Sequence, residues 1–336
     1  MTRLSVLDQS PIRAGGTPAQ AIAETVRLAE ACERLGYHRY WLAEHHASEG
    51  LAGTAPEVLI ARVAAATNAM RVGSGGVMLA HYSPLKVAET FRMLEALYPG
   101  RIDLGIGRAP GSDYRTSVAL QAGPQPFGIE KFPNQVQDLL GYISNTLPAN
   151  HPFAAVAAQP RGETEPEPWL LGSSDASAAI AAYFGTAFSF AHFITDEGGP
   201  QVMAAYREHF RPSRWRQEPE GSIGVFVICA ETTAEASRLA LSRDLSRLRL
   251  EQGRMGPVPS VEEAEAYAFT DAERARIAYQ RRRMVLGAPA EAKARLLEYG
   301  ELYGVDEFVV VTICHDFAAR LRSYELLAEA FGLQPR

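Results

Sequence analysis

The sequence predicts an α/β fold, a single (β/α)8 TIM barrel over residues 1–336, with insertions on its C-terminal rim. Three observations carry that expectation. Short apolar, β-rich runs alternate with longer stretches whose apolar residues recur at helical spacing, the signature of a parallel sheet. Runs and helices number about eight each, the count of a barrel. Glycines and polar residues crowd the positions directly after the apolar runs, where barrel enzymes keep their reacting groups. An open doubly wound sheet is the alternative, but it calls for a glycine fingerprint after the first strand. Asp8-Gln9-Ser10-Pro11 stands there instead.

The first strand is expected over 4–7. Thr17-Pro18 then reads as an N-cap with proline at the first helical position. Ile22, Val26, Ala29 and Glu33 follow at helical spacing until Gly36 ends the helix. A second strand covers 37–42. Thr54 and Glu57 fit a capping box opening a helix to about 67. A third strand covers 70–74, Ser83-Pro84 caps a helix to about 97, and 101–106 is the fourth strand. Residues 109–128 carry Gly, Pro and Gln without periodicity and read as an irregular loop. A helix through Val136, Leu139, Leu140 and Ile143 follows, then a surface connection over 148–168. Strand five covers 169–171, with a helix from Ser174; strand six covers 187–191, with a helix at 200–209. Strand seven covers 221–230, with a helix capped by Thr233; strand eight covers 308–313, and the last helix ends near 331. The stretch 244–287 between the last two strands is a long rim insertion, for which a lid and plain packing both stay open.

With 47% hydrophobic and 21% charged residues in 336, the chain has the balance of a globular protein with a large core. A net charge of −6 and scattered basic residues argue against a nucleic-acid partner. Arg281-Arg282-Arg283 sits among acidic helical sequence and reads as a solvated helix face. No apolar stretch reaches the roughly 20 residues that span a bilayer, and the start has too short an apolar run for a signal peptide. Cys32, Cys229 and Cys314 are odd in number and far apart, without a CxxC. They predict neither a disulfide framework nor a cysteine zinc site, and point to the reduced cytoplasm.

At the strand ends, the second run finishes in Glu44-His45-His46, the third in Gly75-Gly76, the fourth in Gly107-Arg108, the fifth in Gly172-Ser173-Ser174 and the sixth in His192. His45, His46, His81 and His192 raise the question of a metal. Neighbours in a regular strand point to opposite faces, so His45 and His46 cannot both enter the barrel, and no HxH or HExxH occurs. No metal site is predicted. The run from Ser173 to Ser177 opens a helix directly after a strand, where free N–H groups and hydroxyls suit an anion; simple N-capping by Ser174 is the plainer alternative. Arg108 could add a bidentate phosphate partner, or pair with Asp113. Gly73-Ser74-Gly75-Gly76 and Gly105-Ile106-Gly107 are not dinucleotide loops and more plausibly let a flat ligand approach the backbone.

These segments, in this order, resemble the bacterial luciferase-like flavin monooxygenases. LDQSP at 7–11, GYHRYWLAEHH at 36–46, RVGSGGVML at 71–79, GRIDLGIGRAPGSD at 100–113, WLLGSS at 169–174 and SYELLAEAFG at 323–332 carry the resemblance along essentially the whole chain. It implies reduced FMN as co-substrate, delivered by a separate NAD(P)H-dependent flavin reductase. Oxygen would add to the flavin at C4a, and the resulting hydroperoxide would oxygenate an aldehyde, ketone or other small organic molecule. Arg108, Ser174 and Ser177 match the family's phosphate contacts, with Ser173 where bacterial luciferase has a glutamate. Gly75-Gly76 matches a cis peptide beneath the flavin ring; Gly172 and His192 are expected beside the cofactor. His45 matches the acid–base histidine, with Glu44 beside it. The luciferase reactive cysteine is Gly107 here, so nothing supports light emission. Deazaflavin F420 dependence and a non-catalytic flavin-binding role are the alternatives. Family members commonly dimerise through early helices, and the 55–67 and 84–97 helices, with small residues such as Ala61, Ala64, Ala65 and Ala66, suit close packing in a homodimer, with ordinary packing against the barrel as the alternative.

Overall fold

Eight parallel strands close into a barrel in the computed structural model, which describes residues 2–108, 113–121 and 129–335. β1 (Arg3–Asp8), β2 (Arg39–Leu42), β3 (Arg71–Met78), β4 (Ile102–Gly107), β5 (Glu167–Gly172), β6 (Ala187–Phe190) and β7 (Gly221–Cys229) follow one another around it. β9 (Glu307–Val311) joins β7 to β1 and completes the circle. Helices ring the outside: α1 (Pro18–Arg34), α2 (Pro56–Ala66), α3 (Pro84–Leu97), α4 (Tyr114–Gln121), α5 (Phe132–Ser144), α6 (Asp175–Phe184), α7 (Gly199–Glu208), α8 (Thr233–Glu251), α9 (Val261–Ala266), α10 (Asp271–Arg281), α11 (Pro289–Tyr303) and α12 (Phe317–Phe331). The chief apolar cluster lies between strands and helices, with Tyr40, Val72, Leu104, Leu170 and Phe188 facing outward into it. A smaller cluster with Leu7, Trp41, Trp169 and Val309 lies inside the barrel. Among the described residues no helix is long and apolar enough to cross a membrane.

Four local expectations need correction. A ninth strand, β8 (Met284–Gly287), was not predicted; it pairs with Phe226–Cys229 of β7, beyond the Phe188–Phe190 segment of β6 that pairs with the start of β7. It therefore lies inside the predicted 244–287 insertion and widens the sheet at the C-terminal rim. The predicted capping box at Thr54 is absent: Ala55 holds the N-cap of α2 without a side-chain bond, because Pro56 already supplies a helix start that needs no N–H. The cap of α8 is Thr232, whose side chain accepts from the Glu235 N–H, and Thr233 is the first helical residue. The supposed loop at 109–128 contains α4, while 109–112 and 122–128 fall outside the described residues.

The last helix is locked to the first strand by a buried carboxylate. Asp8 accepts from Arg320 Nη2 at 2.7 Å, from the Tyr40 hydroxyl at 2.5 Å and from the Ser10 N–H at 2.7 Å. Burial pushes the Asp8 carboxyl up, but the Arg320 charge and these hydrogen bonds outweigh it and hold it below its ordinary value. The strand end of the LDQSP segment is thereby fixed, and the loop after it, with Gln9, reaches the barrel mouth.

Candidate active site

Registry brings the ends of four neighbouring strands into one arc. Leu42 pairs with Ser74, Met78 with Gly107, and Gly107 with Leu171. The residues after β2, β3, β4 and β5 therefore stand side by side at the barrel mouth.

Glu44, just past β2, is buried and held by three donors. Its Oε1 accepts from the Tyr82 hydroxyl at 2.6 Å and lies 2.7 Å from His46 Nε2; its Oε2 accepts from the Met78 N–H at 2.9 Å. The carboxylate thus ties the end of β2 to the end of β3. It also holds in place the stretch after Gly75–Gly76, whose peptide bond is cis. These two glycines leave no room for side chains. A Cβ on Gly75 would stand 2.5 Å from Leu7 Cδ1, and one on Gly76 would stand 2.7 Å from the Gly105 carbonyl oxygen.

His45 departs from that cluster. Its N–H donates to the Gly53 carbonyl at 2.8 Å, while its buried Nδ1 has no hydrogen-bond partner. Burial pushes its imidazole below the ordinary value; Glu44 pulls the other way and does not restore it. His45 and His46 lie past the end of β2, where the alternation of a regular strand no longer applies, and contrary to the expectation from the sequence both line a cavity of about 580 Å³ at the barrel mouth. Its apolar wall comes from Phe193, Phe226 and Ile313, and its outer wall from α8 and the segment after it, including Leu250 and Met255. The rim insertion thus builds part of the cavity wall.

A second cluster stands at the ends of β4 and β5. Arg108 Nη2 donates to Ser174 Oγ at 3.1 Å, and Ser174 Oγ lies 3.3 Å from Ser177 Oγ. Ser174 caps α6, accepting from the Ser177 N–H. Gly172 permits this: a Cβ there would meet Ser177 Oγ at 2.4 Å. Ser173 is half-buried at the same turn. A guanidinium, two hydroxyls and the start of a ten-residue helix therefore converge, the donor set that recognises a phosphate.

His192 is not brought to either cluster. Its Nδ1 lies 2.7 Å from the Tyr303 hydroxyl, and its ring packs on Tyr299 with centroids 4.7 Å apart, so it points into the helix layer at α11. The next residue, Phe193, enters the cavity instead. Burial lowers the His192 imidazole to about 4. A depressed histidine stabilises the fold fully above its unfolded value near 6.5, and that contribution is lost as pH falls toward 4. Wild-type protein should therefore lose roughly 2 kcal/mol more stability than His192→Phe between about pH 7 and about pH 5. Urea unfolding of both proteins at the two pH values checks this, and an identical pH response would show that His192 titrates freely.

Sequence reasoning missed Tyr82, Phe193, Phe226 and Arg243 as parts of the site. Arg243, Ser246, Arg247 and Leu250 line the cavity at helical spacing on α8, a legible signal once that helix is known to face the mouth.

The sequence profile of the luciferase-like monooxygenases matches residues 2–306. The protein YceB of Bacillus subtilis (strain 168) is 47% identical over 98% of this chain and all of its own. The N-acetyl-S-alkylcysteine monooxygenase of the same organism is 39% identical, covering 98% of both chains. The crystal structure of apo-MsnO8 superposes with a TM-score of 0.92 at 41% identity, over the full length of both.

Proposed function

The chain belongs to the luciferase-like monooxygenase family, and on that premise we propose that it is an FMN-dependent monooxygenase of a small organic molecule. The observation that carries the cofactor is the convergence of Arg108, Ser174 and Ser177 at the start of α6. Gly75 and Gly76 stand on the arc between the phosphate donors and the histidines, and we place the flavin ring beside them on the family resemblance. A Cβ on either would meet Leu7 Cδ1 or the Gly105 carbonyl, so their bare backbone serves the close packing of β3 on its neighbours.

Bound reduced FMN supplies the electrons that activate dioxygen. The protein's own residues do the rest. Arg108, Ser174 and Ser177 anchor the phosphate. His45, kept neutral by burial and with its Nδ1 unpartnered, takes up or returns a proton at the cavity wall. Glu44 is already engaged by Tyr82, His46 and the Met78 N–H, so we give it a positioning role: it holds the ends of β2 and β3 in register. Phe193, Phe226 and Ile313 exclude water. A separate flavin reductase supplies the reduced cofactor. The homodimer we propose would form through α2 and α3, where Val58, Met93 and Leu97 are exposed; Ala64 itself packs inward.

Calorimetric titration with FMN and with F420 separates the two cofactors. FMN should bind at least about tenfold more tightly, since losing one charge-assisted hydrogen bond costs about 1.5–3 kcal/mol. Its terminal phosphate monoester carries two charges and a free end for the Arg108–Ser174–Ser177 cluster, whereas the F420 phosphate is a singly charged diester with a tail attached. Anaerobically photoreduced FMN, bound to the protein and mixed with oxygen, should then consume it at a rate set by protein concentration. Preferential binding of F420, with no oxygen consumed, would overturn the proposal.

A further inference from the structure

Arg243 carries a largely buried guanidinium with almost nothing to hold it. Its side chain is 11% exposed. Its Nη1 donates only to the Met284 sulfur, at 3.3 Å. The nearest carboxylate oxygen, Asp244 Oδ1, stands 4.0 Å away, and the other oxygen of that carboxylate already binds Arg281 at 2.6 Å. The guanidinium lies over the Phe226 ring, 3.9 Å from its centroid, which covers a face and leaves N–H edges for another partner. Burial lowers it to about 10, with Arg247 and Arg283 nearby adding repulsion, so these surroundings stabilise its charge poorly while leaving it protonated at neutral pH.

A second donor stands on the same wall. Arg283 also lines the cavity; it donates through Nη1 to the Ile194 carbonyl, and its buried Nε is unpartnered. Arg247, the third guanidinium of the wall, is occupied by Glu251. Of the carboxylates, Asp113 lines the cavity but is exposed and bonded to Thr116. An excess of positive charge, part of it buried and under-bonded, thus faces an apolar cavity that also contains His45.

We propose that the cavity takes a substrate consisting of an apolar arm and a carboxylate, and that Arg243, assisted by Arg283, binds the carboxylate. This rests on reading the cavity as the oxygenation site. A guanidinium fork matches a carboxylate in bidentate geometry, and a partner brought in by the ligand supplies the hydrogen bonds that the fold does not. The acid end would lie against α8 and β8, leaving the apolar arm among Phe193, Ile194 and Ile313, in the cavity that His45 lines.

The test is calorimetry on the full-length FMN-loaded protein with phenylacetate, phenylpropanoate, phenylbutanoate and phenylpentanoate, each against its methyl ester. At least one acid should bind about tenfold or more tightly than its ester, as one charge-assisted hydrogen bond implies. Arg243→Met should bring acid and ester to within about twofold, while Arg243→Lys, which keeps the charge, should retain part of the preference. Thermal unfolding of both variants shows whether they fold. FMN affinity measured on the same samples separates this idea from the cofactor reading. No preference for any acid, a preference that survives in Arg243→Met, or a loss confined to FMN binding would each overturn the proposal. Failure of the wild type to bind FMN, with acid binding intact in the flavin-free protein, would instead strike the cofactor reading.

Discussion

Replacing Arg39 with methionine is expected to lower the stability of the fold by about 3–5 kcal/mol, the cost of stranding buried charge when one partner of a buried pair is removed. Arg39 begins β2 at the N-terminal end of the barrel, and its side chain is 2% exposed. It donates from Nε to Glu307 at 2.8 Å and from Nη1 to Asp103 at 3.0 Å and Glu167 at 3.3 Å, while Nη2 reaches Glu220 at 3.4 Å. The same carboxylates are shared with Arg3, Arg71 and Arg216. Four guanidiniums thus face these four carboxylates and plug the barrel floor, with the exposed Asp306 beside Arg3 at its edge. Burial pushes Asp103 up, but Arg39 and Arg71 outweigh it and hold its carboxyl below its ordinary value. In wild type that stabilisation is full above the unfolded value near 3.9 and is lost as pH falls below it. In the variant, Asp103 loses a cation and its carboxyl moves up, so the native state takes up protons more readily. The stability gap should therefore narrow as pH falls from about 7 to about 4. Urea midpoints of both proteins across that range check it. A loss below about 1 kcal/mol, the size of an exposed pair, would show that the plug is solvated.

Arg39 also shows what the sequence could not reveal. The strand around it was legible from its apolar run, but the partners of the guanidinium lie up to 268 residues away and share no motif with it. Barrel closure was legible because periodicity is local and repeats along the chain. β8 escaped notice because four residues cannot establish a period, and its pairing with β7 is a tertiary fact. The site divides the same way. Glu44, His45, Gly75, Gly76 and Arg108 were singled out because chemistry in a barrel gathers at strand ends, and the strand ends are where the structure puts them. His192 was misplaced because position after a strand does not say which way a side chain turns: it enters the helix layer and Phe193 enters the cavity. Arg243 was invisible for a different reason. It lies mid-helix on α8, and only the docking of that helix over the mouth gives it a role.

Arg108→Ala should weaken FMN binding by about 1.5–3 kcal/mol, the range for a hydrogen bond to a charged group. It should leave riboflavin nearly unaffected. Adjacent parallel strands stand about 5 Å apart, and the Gly107–Leu171 pairing sets the ends of β4 and β5 next to each other. Arg108 therefore reaches Ser174 Oγ at 3.1 Å, within the turn where Ser174 and Ser177 present hydroxyls and α6 begins. A phosphate at that point meets a guanidinium, two hydroxyls and the positive end of a helix. Asp175, exposed in the first turn of the same helix, adds a negative charge nearby. The helix terminus alone is thus a weak anion site, which puts the weight on Arg108. Its removal leaves Ser174 and Ser177 still paired with each other and strands no buried charge, so the fold should survive and the loss should fall on phosphate recognition alone. Calorimetric affinities of wild type and variant for both flavins decide the matter. Equal losses for FMN and riboflavin would mean that Arg108 supports the ring or the rim, and that the phosphate lies elsewhere.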